Sequence, residues 1–380
     1  MMVGCVSDIS IGYGTPQIPL FMRSVHAYLG ETGRPLIIEV DQPERPPRHD
    51  HFPDLEIIRV YTRHHPHAVR AGKIDYILGA ARILNERRPE VLMIPNAYCL
   101  PVLWKLNYHP RLVVYYVFEM ANPFGYDYEE TRLNAEARNL VDLVIYPEQN
   151  RAIQHMQQFE YQNLTNLVLF NAVPQTDEPQ VPAQSRNKRI IYHGTIHEER
   201  TQGAFYLDEA VRAMPIDLFG NVESVTPDFR DQLIAEGGNL KYHGYVDNAT
   251  LKTLRKSYSY SITYWNPSIK NQFFACPNKF FESIAAGVPP ITAPHPQTRE
   301  LVECYDCGIV MKDWSLSSFV STLEHAMSLL GSPRYARMVR NCREACRREL
   351  NWEYQFQKVK VQLDKFNLIR QGTRDAQAVA

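Results

Sequence analysis

A chain of 380 residues is long enough for two domains of ordinary size, each able to bury its own core. Its 41 Lys and Arg against 42 Asp and Glu leave a formal charge of −1, which removes any overall electrostatic case for a nucleic-acid partner. Hydrophobic residues make up 44%, the share of a globular chain, and no apolar run nears the roughly 20 residues that span a bilayer.

The start, Met1-Met-Val-Gly-Cys-Val-Ser-Asp8, lacks a basic region followed by an apolar one, so a cytoplasmic location is expected. Short apolar runs then alternate with helical patterns: Val3–Val6, Leu36–Val40, Leu55–Val60, Val91–Ile94, Leu112–Val117, Leu143–Tyr146 and Leu167–Phe170. Between them Ile74, Ile77, Leu78, Ala81 and Leu84 recur at helical spacing. Alternation of this kind predicts a parallel sheet with helices on its faces, so residues 1–173 are read as one doubly wound domain.

Residues 174–188 break the pattern with Pro174, Pro179 and Pro182 and scarcely a large apolar residue, as an interdomain linker does. Alternation restarts with Ile190–Tyr192, Ile216–Phe219, Leu240–Tyr242, Ser261–Thr263, Pro290–Ile291 and Ile309–Met311, giving a second doubly wound domain over 189–350. The tail from Ser315 to Arg370 reads as helical. In it Arg334, Arg337, Arg340, Arg343 and Arg347 form a basic face, read as solvated or, more sharply, as a peripheral contact with anionic lipid headgroups.

Cysteine chemistry is not prominent. Cys304-x-x-Cys307 and Cys342-x-x-x-Cys346 invite a zinc reading, but no His has ligand spacing nearby, and an odd total of 7 argues against a complete disulfide framework. His64-His65-Pro66-His67 reads as a solvated loop rather than a metal site.

The most informative stretch is Ala275-Cys-Pro-Asn-Lys-Phe-Phe-Glu-Ser-Ile-Ala-Ala-Gly-Val-Pro-Pro-Ile-Thr292. It reads as a helix opening at Pro277 and stopped by Gly287 before a buried strand. Free N–H groups at such a start, with Asn278 there and the charge of Lys279, suit an anion, while Glu282 on the same face can accept from two ribose hydroxyls. The pattern is a grip for a nucleoside diphosphate. Earlier, Gly194 in His193-Gly194-Thr195 allows close backbone approach to a phosphate, and Arg200 offers a fork for two of its oxygens.

Pro277-Asn278-Lys279-Phe280-Phe281-Glu282 followed by Ala285-Ala286-Gly287-Val288-Pro289 resembles the donor-site helix of GT-B glycosyltransferases, in particular glycosyltransferase family four, also called group 1. Ser261–Asn271 resembles the strand and lip loop that this family places before it. The resemblance implies an α/β GT-B fold, two doubly wound Rossmann-like domains facing a central cleft. A C-terminal crossing helix and tail over 351–380, marked by Trp352-Glu-Tyr-Gln-Phe356, would follow. It implies transfer of a sugar from a nucleoside-diphosphate sugar to an acceptor hydroxyl, with retention and without a metal. No cofactor is expected beyond that co-substrate, for which a UDP-sugar is favoured. The acceptor would be a sugar, a lipid-linked molecule or a small molecule.

Carried over residue by residue, the resemblance makes Arg200 and Lys279 the catalytic cations. It puts Gly194, Thr195, Asn271, Cys276, Pro277, Asn278 and Glu282 on the donor, and Gly244, Tyr245 and Val246 against the nucleobase. Gly14, in the turn after the first strand, would approach the donor phosphate; Asn96 and Tyr98 would face the acceptor, and Glu119 is the candidate base. The sequence departs from the family in three places, one being that no His occurs between Asn96 and Cys99, where family members often show one. Thr201 stands where a glycine usually follows the arginine, and Phe274 stands where a second glutamate usually contacts the sugar. Phe274 supports a rival reading, a catalytically silent nucleotide-sugar-binding scaffold; a nucleotide-sugar epimerase is the further alternative.

Overall fold

The computed structural model describes residues 1–120, 128–176, 178–179, 181–223, 225–235 and 238–366. The chain divides into two compact units, Met1–Leu169 with the chain from Phe356 onward, and Phe170–Gln355. The last helix, Trp352–Lys365, begins in the second unit and ends in the first.

The first unit carries strands β1 (Val3–Ser7), β2 (Leu36–Val40), β3 (Glu56–Val60), β4 (Val91–Pro95), β5 (Leu112–Tyr116), β6 (Leu143–Tyr146) and β7 (Thr165–Val168). They form one parallel sheet in the order β3-β2-β1-β4-β5-β6-β7. Every residue of β1, β2, β4, β5 and β6 is buried, which is why these strands read as continuous apolar runs.

The helix Arg70–Arg87 turns Tyr76, Ile77, Ala80, Ala81 and Leu84 inward. Ile74 and Leu78, expected on that face, point out and are 49% exposed each. Tyr76 sets the rotation, because its buried hydroxyl donates to the Ser7 carbonyl at 2.6 Å.

The second unit carries β8 (Ile190–His193), β9 (Ile196–His197), β10 (Ile216–Phe219), β11 (Val222–Glu223), β12 (Lys241–Tyr242), β13 (Tyr260–Thr263), β14 (Pro290–Thr292) and β15 (Ile309–Val310). Its main sheet is parallel with order β12-β10-β8-β13-β14-β15, and β9 pairs with β11 beside it. The proline-rich segment 174–188 lies in this unit. There Arg186 donates to the carbonyls of Tyr258 (3.1 Å) and Ala286 (3.2 Å).

The segment after Arg200 forms two separate short pieces. A 3-10 turn over Gly203–Leu207 ends at Asp208, whose carboxylate accepts from the amides of Ala210 and Val211 and so caps a separate short helix, Glu209–Arg212. On the basic face of Pro333–Arg348 four of the five arginines are exposed, as a solvated face requires, and Arg343 departs from it. Arg343 is half-buried and donates to the Val181 carbonyl at 2.8 Å, Arg337 pairs with Asp306 and Arg347 with Glu344. Among the described residues no helix is long and apolar enough to cross a membrane.

Candidate functional site

In an open parallel sheet the strand order reverses at one point, and the loops beyond the carboxyl ends of the strands diverge there to leave a crevice. In the second unit that point lies between β8 and β13. The turn after β8 is His193-Gly194-Thr195. Gly194 sits at φ 110°, and its amide donates to the Phe219 carbonyl at 3.0 Å. Gly220 in turn donates to the Gly244 carbonyl at 2.7 Å, and a Cβ on Gly220 would stand 2.0 Å from the Gly194 oxygen. Three glycine turns therefore pack backbone against backbone, and the structure brings Gly194 beside Gly244 through Gly220, which sequence reasoning passed over. The Gly244 carbonyl is engaged in this packing, while Tyr245 is 56% exposed.

The helix Asn278–Ala285 approaches the same turn. Pro277 is its N-cap, with extended backbone at ψ 158°, and not the first helical residue. Gly287, at φ 65°, donates to the Ile284 carbonyl and Val288 to the Ser283 carbonyl, the paired bonds by which glycine ends a helix. Phe280, Phe281 and Ile284 are fully buried, fixing which face turns to the sheet. Lys279 is carried with them and is only 8% exposed. Its ammonium lies 3.9 Å from the centre of the Tyr192 ring and 3.3 Å from where a Cβ on Gly194 would stand. Among the described residues it has no carboxylate partner. A buried ammonium without a counter-ion is costly, and a cation over an aromatic face recovers only part of that cost.

Glu282, one turn further on, is held by Arg255, which donates from Nη2 to Oε2 at 2.8 Å. Arg255 also donates from Nε to His193 Nε2 at 3.1 Å. Burial, then the charges of Arg255 and Lys279, keep His193 well below its ordinary value, so the ring is neutral. Neither His193 nor Arg255 was singled out from the sequence, because Arg255 has the place of an ordinary cation in the last turn of the helix Asn248–Arg255.

Arg200 lies on the loop that follows β9, which pairs with β11. Its guanidinium lies 5.5 Å from the Trp265 ring and its Nη2 is 3.2 Å from the exposed Glu223. Its Nε is buried and has no hydrogen-bond partner among the described residues. The Arg200 carbonyl accepts from the Asn266 amide at 2.8 Å, joining this loop to the one after β13. Thr195 accepts from the Tyr192 hydroxyl through its carbonyl, and the Cys276 carbonyl accepts from Asn171 Nδ2 at 3.2 Å. Asn271 lies in the short helix Lys270–Phe273, capped by Phe274, whose ring meets Phe273 edge-on at 4.9 Å.

In the first unit the strand order reverses between β1 and β4. Asn96, at φ 55° directly after β4, donates to Asp8 Oδ2 at 3.0 Å and accepts from the amides of Phe118 and Glu119 at 3.1 Å each. It thus joins the loops after β1, β4 and β5. Burial pushes the Asp8 carboxyl up to about 6, with the Asn96 bond opposing and the charge of Glu119 adding to the rise. Asp8 is therefore a titratable group at this point that sequence reasoning did not single out. Glu119 itself is 63% exposed and 3.8 Å from Arg151. The Tyr98 hydroxyl donates to the Pro66 carbonyl at 2.6 Å, while the ring carries the Lys73 ammonium at 4.8 Å.

The turn that contains Gly14 is tied down at its start. The amide of Ile11 donates to Glu39 at 2.7 Å and that of Ser10 to Gln42 at 2.9 Å. Glu39 is fully buried in β2, and Arg59 at 2.6 Å and His49 at 2.8 Å face its other oxygen.

No family model matches the sequence, and no curated protein matches it. Solved structures do. Sucrose-phosphate synthase from Thermosynechococcus elongatus is 14% identical, covering 97% of this chain and 99% of its own at a TM-score of 0.71. Anabaena HepE in complex with UDP-glucose is 14% identical, covering 96% and 100% at a TM-score of 0.70. WaaG, a glycosyltransferase of lipopolysaccharide biosynthesis, is 13% identical, covering 95% and 99% at a TM-score of 0.67. The two parallel sheets of this chain have the GT-B fold of these glycosyltransferases.

Proposed function

We propose that this chain is a glycosyltransferase of the family-four type, which moves a sugar from a nucleoside-diphosphate sugar to an acceptor hydroxyl with retention and without a metal. The observation that carries the reading is Lys279, a buried ammonium with no carboxylate partner among the described residues, set at a helix start against a glycine turn. A diphosphate supplies the missing counter-charge.

As the bond from the sugar C1 to the β-phosphate oxygen breaks, negative charge grows on that phosphate. Lys279, Arg200 and the amides at Asn278 stabilise it because they are fixed before the reaction begins. The acceptor oxygen bonds to C1 on the departing face, and its proton passes to the released phosphate. No carboxylate nucleophile is required. Glu282 accepts from the ribose hydroxyls, the turn Gly244–Val246 faces the base, and Gly194, Thr195, Asn271, Cys276 and Pro277 line the donor. Residues 189–350 form the donor domain in this reading. Residues 1–173 form the acceptor domain, with Gly14 toward the phosphate and Asn96 and Tyr98 toward the acceptor; Glu119, the candidate base, is not called on while the released phosphate takes the proton.

A UDP-sugar is the favoured donor, supported by the complex of HepE with UDP-glucose. The enzyme is read as cytoplasmic; exposed Arg334 and Arg340 support a peripheral contact with anionic lipid. Phe274, in the place of a sugar-contacting carboxylate, favours a competing reading, a binding scaffold without turnover. Incubation with a panel of nucleotide sugars, with and without simple sugar acceptors, separates the two. Release of nucleoside diphosphate supports the transferase, and binding without release supports the scaffold.

A further inference from the structure

Arg255 closes the helix Asn248–Arg255 with its side chain turned inward, 7% exposed. Three of its nitrogens are committed: Nη2 to Glu282 Oε2 at 2.8 Å, Nη1 to the Glu282 carbonyl at 3.4 Å, and Nε to His193 Nε2 at 3.1 Å. The guanidinium therefore fixes both ends of Glu282 at once. Because His193 Nε2 accepts, the proton of this neutral ring sits on Nδ1. Nδ1 lies 3.9 Å from Glu282 Oε2, beyond hydrogen-bond length. Among the described residues His193 Nδ1 and Glu282 Oε1 have no hydrogen-bond partner. A carboxylate oxygen beside an N–H is matched by two neighbouring hydroxyls of one molecule, one donating and the other accepting.

We propose that Arg255 is a positioning residue for recognition of a vicinal diol, holding Glu282 and setting the His193 tautomer so that the pair is ready for the ribose of a nucleotide. This rests on the reading of Glu282 given above. Without Arg255 the carboxylate turns freely and takes up water, and its ordering is charged to each binding event.

The test is calorimetry on the full chain with whichever of UDP, GDP and ADP binds tightest, and with its 2′,3′-dideoxy analogue. The wild-type protein is expected to bind the analogue about tenfold more weakly. Arg255→Met should weaken the parent nucleotide by about tenfold and leave the analogue within about twofold, so that the preference collapses. His193→Phe, which keeps a ring and removes the donor, should likewise act on the parent alone. Arg255→Lys keeps a cation and should lose about threefold on the parent only; it also carries the test should the Met variant fail to fold. An equal loss for both ligands, or no loss for either, overturns the proposal and leaves Arg255 a structural ion pair. A wild-type protein that does not distinguish the analogue overturns the ribose reading of Glu282 itself, and this inference with it.

Discussion

Lys279 holds its ammonium 3.3 Å from the point where a side chain on Gly194 would begin. The glycine is needed twice over: its φ of 110° is one that other residues adopt only with strain, and a methyl group there would push on the ammonium. Gly194→Ala should therefore lower turnover while the protein stays folded, at a backbone cost of about 1–3 kcal/mol. Steady-state kinetics with thermal unfolding checks both parts, and unchanged kinetics would remove the turn from the site.

Arg200 has a buried Nε without a partner among the described residues, as a group awaiting a ligand does. Its pairing with the exposed Glu223 is a weak competitor for a phosphate. Arg200→Ala should cost about 2–4 kcal/mol of transition-state stabilisation, seen in kcat/KM. Glu223→Gln should leave kcat/KM within about twofold, since an exposed ion pair contributes little. Reversal of that order would mean the pair is structural.

Glu282→Gln keeps the shape of the side chain and removes its charge. Nucleoside-diphosphate affinity should weaken by about 1.5–3 kcal/mol, the range for hydrogen bonds to charged groups. Calorimetry measures it directly, and equal binding by variant and wild type would sink the assignment.

Asp8 makes the first unit pH-sensitive in a definite direction. Its folded value, about 6, lies above the ordinary 3.8, so the folded state holds the proton more tightly than the unfolded one. The stability associated with that proton is fully present below the ordinary value and is lost as pH rises through about 6. Asp8→Asn has no such titration. The Tm of the variant relative to wild type should therefore climb between about pH 4 and pH 7 and level off above. A difference that does not vary with pH would place the titration elsewhere.

Metal and stereochemistry follow together from how the leaving group is stabilised. With Arg200, Lys279 and a helix start on the diphosphate, activity should survive EDTA. Proton NMR of the first-formed product should show the donor's anomeric configuration kept. An inverted product would call for a base on the opposite face.

The strands were legible because a sheet covered on both faces needs unbroken apolar runs, and Val91–Ile94 and Ile190–Tyr192 are such runs. The start of the helix Asn278–Ala285 was legible because proline, glycine and a lone lysine there have few other uses. What escaped notice depends on contacts distant in sequence. Ile74 and Leu78 fit a helical stripe as well as Tyr76 does, and the observed rotation goes with the bonds of the Tyr76 hydroxyl to the carbonyls of Ser7 and Ile38. Arg255 meets Glu282 only after a strand, a loop and a short helix have intervened. A signal did exist for Glu39: a carboxylate inside the apolar run Leu36–Val40 must be paired if that strand is buried, and Arg59 inside the next run is the matching charge.

The central claim, that the second unit grips a nucleoside diphosphate through Lys279 during sugar transfer, is tested most directly by one comparison. Nucleoside-diphosphate release from a panel of nucleotide sugars, UDP-glucose among them, is measured for the wild type and for Lys279→Ala, with thermal unfolding to confirm that both are folded. The account predicts release by the wild type from at least one donor and a loss of about 2–4 kcal/mol in transition-state stabilisation for the variant. Release by the variant at the wild-type rate would contradict it.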